Sequence, residues 1–106
     1  MTDCLLVMTT LPNAETAKDL AQRLLEQKLA ACINIIPTIT SLYSWEGKVC
    51  EGNECLLLIK TTQTRYAELE GRLHSEHPYT LPELIVTPIT QGLPDYLGWI
   101  KESTQQ

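Results

Sequence analysis

Cys55-Leu56-Leu57-Leu58-Ile59-Lys60-Thr61-Thr62 holds five consecutive apolar residues and closes on a lysine and two threonines. A short run that is apolar at both parities reads as a strand covered on both faces. Working outward from it shapes the rest of the chain. On its N-terminal side, Val49 to Asn53 reads as a turn with Gly52-Asn53 inside it. Before that turn, Ala31 to Trp45 is β-rich, with Ile33, Ile35 and Ile39 on one parity and Tyr43 and Trp45 continuing it. Pro37 interrupts the ladder, so this long strand is expected at a sheet edge or with a bulge.

Further out, Asn13 is a good helix N-cap and Glu15 suits a first helical turn. Ala17, Leu20, Ala21, Leu24, Leu25 and Leu29 recur at helical spacing, which predicts a helix from about Ala14 to Ala30. Cys4 to Met8 is a first buried strand, ended by Pro12-Asn13. On the C-terminal side, Thr62 or Thr64 is placed to cap a helix running to about Ser75, with Tyr66, Leu69 and Leu73 as its apolar stripe. His77-Pro78 ends that helix. Leu84 to Thr87 is a strand limited by Pro88, with Ile89-Thr90 as a continuation past a bulge. Gly92-Leu93-Pro94 opens a short helix, about Asp95 to Glu102. The order β-α-β-β-α-β plus a terminal helix predicts an α+β, ferredoxin-like sandwich, with both crossover helices on one face of the sheet.

At 106 residues the chain is expected to form one domain, residues 1–106. Phe is absent, so the core must be aliphatic. The net charge is −5, and the eight basic residues are scattered singly, which argues against nucleic-acid and anionic-membrane partners. No apolar run approaches the roughly 20 residues of a membrane helix, and the N-terminus lacks a positive n-region, so a cytosolic location is expected. The four cysteines are then expected as free thiols. Cys4, Cys32 and Cys55 sit in apolar runs. Cys50 and Cys55 carry a weak metal spacing, and the simpler reading places them on strands flanking the Gly52-Asn53 turn.

The strands Cys4–Met8, Leu56–Ile59 and Leu84–Val86 are apolar on both parities, and one short C-terminal helix cannot cover a whole second face. A partner subunit is the simplest cover, so the chain is expected to be an obligate homo-oligomer.

Five motifs occur in order: Leu-Ala-Ala-Cys-Ile-Asn from Leu29, Ser-Leu-Tyr-Ser-Trp-Glu-Gly-Lys from Ser41, Lys-Thr-Thr from Lys60, His-Pro-Tyr-Thr-Leu-Pro-Glu from His77 and Tyr-Leu-Gly-Trp-Ile from Tyr96. Together they resemble the CutA divalent-cation tolerance family across nearly the whole chain. The resemblance implies a homotrimer joined by edge-to-edge strand pairing, kinship in shape with trimeric PII signalling proteins, and an association with copper and other divalent metals. In a bacterial member, copper binding is attributed to a cysteine ending the first strand, a histidine just before His-Pro-Tyr and the glutamate of Pro-Glu. The matching positions here are Thr9, Glu76 and Glu83. A set with two carboxylates and no thiolate prefers harder or borderline ions.

Two candidate sites follow. Glu76, His77 and Glu83 offer a helix end, an imidazole and two carboxylates to a divalent cation, copper or zinc, not needed for folding. The alternative is a solvated Glu76 and a His77 that caps the helix. Trp45, Lys60, Tyr79 and Glu83 offer rings for stacking, a cation and an acceptor to a small anionic ligand in a cleft between subunits. The alternative is that the rings pack an interface and Lys60 pairs with a glutamate. No nucleophile elbow, Gly-rich phosphate loop, His-Glu-x-x-His or Cys-x-x-Cys appears, so no enzyme is expected. The first reading is thus a divalent-cation tolerance trimer that binds copper-type ions. The second is a PII-like signalling or scaffold trimer that binds an anionic metabolite.

Overall fold

The computed structural model describes residues 2–106. Four strands and three helices follow in the order β1 (Cys4–Leu11), α1 (Ala14–Glu26), β2 (Cys32–Trp45), β3 (Lys48–Thr62), α2 (Gln63–Glu76), β4 (Ile85–Pro88) and α3 (Pro94–Ser103). The sheet order is β2-β3-β1-β4, antiparallel at every pairing. This is the ferredoxin-like arrangement the periodicity predicts, with α3 added.

One sheet face carries the core. Val7, Leu11, Leu57 and Ile59 point from β1 and β3 into a cluster with Leu20, Leu24, Leu69 and Leu73 of α1 and α2, all fully or almost fully buried. Asn13 caps α1 as its sequence suggests, accepting from the Thr16 N–H at 2.8 Å. The helix stops four residues earlier than the apolar spacing predicts. Lys28 takes φ +58°, and the Leu29 N–H reaches back to the Leu24 carbonyl at 3.0 Å. That is a Schellman ending with lysine in the place glycine usually fills. Arg65 then clamps the same helix end from α2. It is 7% exposed, and its guanidinium donates to the carbonyls of Lys28 and Gln27 and pairs with Glu68 at 3.1 Å.

Pro37 marks a bulge. Ile36 pairs with Leu56 and Ile39 with Glu54, so β2 carries one extra residue there. The Cys55 thiol donates to the Pro37 carbonyl at 3.0 Å, satisfying an acceptor the bulge frees from the ladder. β2 is an edge strand, where proline does least damage.

The hairpin turn lies elsewhere than expected. Trp45 pairs with Lys48, and Glu46 and Gly47 form a two-residue loop with φ of +51° and +77°. Positive φ at both positions is the type I′ turn that matches strand twist. Val49 to Asn53, expected as the turn, is instead regular strand paired with Ser44 to Thr40. Cys50 therefore lies opposite Tyr43, and Cys50 and Cys55 share one strand rather than flanking a turn. All four cysteines are free thiols. The fourth strand is only Ile85–Pro88, and Ile89-Thr90 does not extend it.

The second sheet face is covered at one end only. There the Cys4 thiol donates to the Leu97 carbonyl of α3 at 3.7 Å, and Ile100 of α3 is fully buried. Farther along, register sets Met8 beside Leu58 and Ile85, and Leu56 beside Ile36. Ile36 and Ile85 stay exposed.

Candidate functional site

α2 ends on Glu76, and His77 turns the chain inward. The His77 ring is 7% exposed. The Tyr79 backbone N–H donates to Nδ1 at 3.1 Å, and Nε2 lies 2.8 Å from the Thr10 carbonyl. An Nδ1 that accepts fixes the proton on Nε2, which then donates to Thr10. The ring is neutral in this arrangement and both nitrogens are occupied. Burial holds its pKa below the ordinary histidine value, partly offset by the Thr10 carbonyl and Glu54.

Tyr79 stacks obliquely on His77, ring centroids 4.9 Å apart, and its hydroxyl donates to Glu54 at 2.9 Å. Burial, then the Glu54 carboxylate, pushes the phenol up to about 12. Three chain segments meet here: the end of β1, the loop after α2 and the middle of β3. Glu83 lies on the exposed part of that loop and forms no ion pair among the described residues.

Glu76 is engaged elsewhere, pairing with Arg23 at 2.8 Å and Arg72 at 3.5 Å. The expected cation set is therefore corrected. Within one subunit Glu76, His77 and Glu83 do not form a metal-holding group, and the described residues contain no cluster of three His, Cys, Asp or Glu suited to one. His77 serves neither as ligand nor as helix cap: it fastens the loop to β1. The strand position where a copper thiolate would stand holds Thr9, fully buried with its hydroxyl unpartnered. A soft ion finds no matching donors in one chain.

The second set is split as well. Trp45 stands beside the hairpin turn, 55% exposed, with Leu42, Tyr43 and Val49 also exposed around it. Lys60 lies at the other end of β3, twelve residues from Lys48. At about 3.3 Å per residue, the two ends are roughly 40 Å apart. Tyr79, on Glu54, sits between them. The four residues cannot line one cleft in one subunit. Lys60 contacts the Asn34 side-chain oxygen and lies 3.8 Å from the Cys32 sulfur, so the expected glutamate partner is replaced by neutral groups.

Two important residues escaped the sequence reading. Glu54 has no local signal, since its partner Tyr79 is 25 positions away. Arg65 did have one: it falls four residues before Leu69 and eight before Leu73, on the buried stripe of α2.

The match to known proteins is extensive. The family model described as "CutA1 divalent ion tolerance protein" fits residues 5–103. The divalent-cation tolerance protein CutA of Thermus thermophilus is 46% identical over 98 residues, 92% of this chain and 95% of that protein. The Escherichia coli protein of the same name is 46% identical over 102 residues, covering 96% of this chain and 91% of its own. The crystal structure of CutA1 from Oryza sativa superposes with a TM-score of 0.95 at 43% identity, covering 99% of this chain and 96% of that one. With fold, motif order and length all in agreement, this chain belongs to the CutA1 divalent ion tolerance family.

Proposed function

We propose that this protein works as a homotrimer in divalent-cation tolerance and takes its ligand in clefts between subunits. The observation that carries this reading is the hairpin tip. Leu42, Tyr43, Trp45 and Val49 are 67%, 50%, 55% and 79% exposed, concentrated at one end of a 44 Å molecule. Apolar rings and branches held out on a strand ribbon, together with the uncovered strip through Ile36 and Ile85, are what a partner subunit covers. A neighbour's Trp45 brought onto the Tyr79–Glu83 loop would join residues that one chain keeps apart.

A divalent ion such as copper or zinc would take the free Glu83 carboxylate as its first donor, with further donors from the neighbouring subunit. His77 and Glu76 would stay in their present bonds. Sedimentation equilibrium should give about three times the 11.9 kDa chain mass. Calorimetric titration with Cu²⁺ and Zn²⁺ at pH 7.5 should show binding that Glu83→Gln weakens by roughly tenfold or more, as expected for losing an anionic ligand. A folded monomer removes the trimer. Equal binding by wild type and Glu83→Gln removes the ion site.

Lys60 supports a second reading. It is a cation beside α3 with no carboxylate partner among the described residues, which suits an anionic metabolite. A thermal-shift screen of small anionic metabolites tests it. A hit abolished by Lys60→Met would favour this reading over the ion.

A further inference from the structure

The end of the molecule away from the hairpin tip holds a cavity of about 590 Å³ between the start of α2 and the end of α3, with Asp3, Thr62, Thr64, Arg65, Glu68 and Lys101 among its walls. A smaller depression of about 310 Å³ adjoins it, sharing Asp3, Thr62 and Lys101 and adding Cys4, Pro94 and Leu97.

The start of α2 is short of acceptors. The helix runs for 14 residues, has no acidic residue in its first turn, and its N-cap Thr62 makes no capping bond. The Gln63 N–H is taken by the Asp3 carbonyl at 2.8 Å. The next amides, of Thr64 and Arg65, have no acceptor within the helix. A second observation is independent of the helix end. Thr62 is 4% exposed, lines both cavities, and its hydroxyl has no partner among the described residues. A buried hydroxyl without a partner costs free energy that a ligand can recover.

The charges around the cavity are mixed. Lys101 pairs with no carboxylate among the described residues. Arg65 is spent on the Lys28 and Gln27 carbonyls and on Glu68, so Glu68 is spent too. Asp3 is left as an exposed carboxylate with no ion pair among the described residues. The cavity thus offers anion donors and one cation, with one free anion close by. A phosphate dianion would meet Asp3 unfavourably. A monocarboxylate would leave Asp3 unused. A zwitterion would use both, and the adjoining depression gives an apolar side chain somewhere to go.

We propose that this cavity binds a free apolar α-amino acid. Its carboxylate accepts from the Thr64 and Arg65 amides, the Thr62 hydroxyl and the Lys101 ammonium. Its ammonium faces Asp3, and its side chain enters the depression at Cys4, Pro94 and Leu97. The assignment is independent of the ion and trimer readings.

The test is an NMR titration of the full chain with L-leucine, glycine, acetate and inorganic phosphate. Leucine should give saturable shifts of the Thr64 and Arg65 amides, tighter than glycine, with acetate weaker still. Lys101→Met should abolish the response to leucine and acetate alike. Asp3→Asn should lower leucine affinity several-fold, toward that of acetate, and leave acetate no weaker. Non-saturating shifts, phosphate binding tighter than leucine, or a Lys101→Met protein that binds leucine like wild type would each overturn the proposal.

Discussion

Thr9→Val should stabilise the protein. Thr9 lies on β1 between Val7 and Leu11, opposite Leu57, with no exposed surface, and its hydroxyl oxygen has no hydrogen-bond partner. A buried, unpaired hydroxyl costs about 1–3 kcal/mol. Valine keeps the shape and the β-branch, so the strand rotamer survives while a methyl replaces the hydroxyl. Burying that methyl adds up to about 0.8 kcal/mol. Allowing for imperfect fit, a net gain of about 1–2 kcal/mol is expected. In a domain of this size that raises the thermal midpoint by several degrees, on a scale of about 4–8 °C per kcal/mol. Urea unfolding of both proteins at equal chain concentration should show a higher midpoint with an unchanged slope; the concentration is matched because assembly contributes to stability. If Thr9→Val is less stable than wild type, the hydroxyl has a partner in solution and the reading of this position as a spare polar group is refuted.

Arg65→Met should cost about 2 kcal/mol, because it strips two carbonyls at the end of α1 of their donor while keeping the apolar stem, and urea denaturation measures it. Acid should destabilise the fold through His77. Its folded pKa is lowered, so the unfolded chain binds the extra proton first. Stability is then greatest above the unfolded value near 6.5 and falls as pH drops below it, by at most about 1.4 kcal/mol per pH unit from this group. His77→Gln should flatten that slope in denaturation curves recorded between pH 7.5 and 5. At the hairpin, Glu46→Asn should raise the thermal midpoint, since asparagine tolerates the left-handed conformation better, while Gly47→Val should lower it by about 1 kcal/mol or more. Calorimetry on both variants checks the pair.

The sequence reads well wherever a local pattern meets a local cause. The Asn13 cap, the buried face of α1, the Pro37 bulge and the strand order all follow from spacing and side-chain chemistry. Boundaries fail where an unusual residue takes an unusual backbone. Lys28 and Glu46 both sit at positive φ, and neither advertises it. The Gly52-Asn53 pair does advertise a turn, yet it continues a strand because the true turn five residues earlier already fixes the register. Site chemistry fails for a different reason. His77 is defined by Thr10, 67 positions away, and Glu76 by Arg23, 53 positions away. No window along the chain holds both partners. The residues of the site were legible as a set of types, but their engagements were not.

β1 occupies the centre of the sheet although it comes first along the chain. Leu11 pairs with Cys55, and Leu5 with Pro88, 83 positions later. During synthesis this apolar strand emerges with neither neighbour made, and both its edges stay open until β3 and then β4 have left the ribosome. The β2–β3 hairpin, tied by a two-residue turn, closes early and presents the Leu56–Ile59 edge on which β1 must land. Such distant pairing makes folding slow relative to a helical protein of equal size. It also makes the nascent Cys4–Leu11 segment the part of the chain most in need of shielding from its own copies.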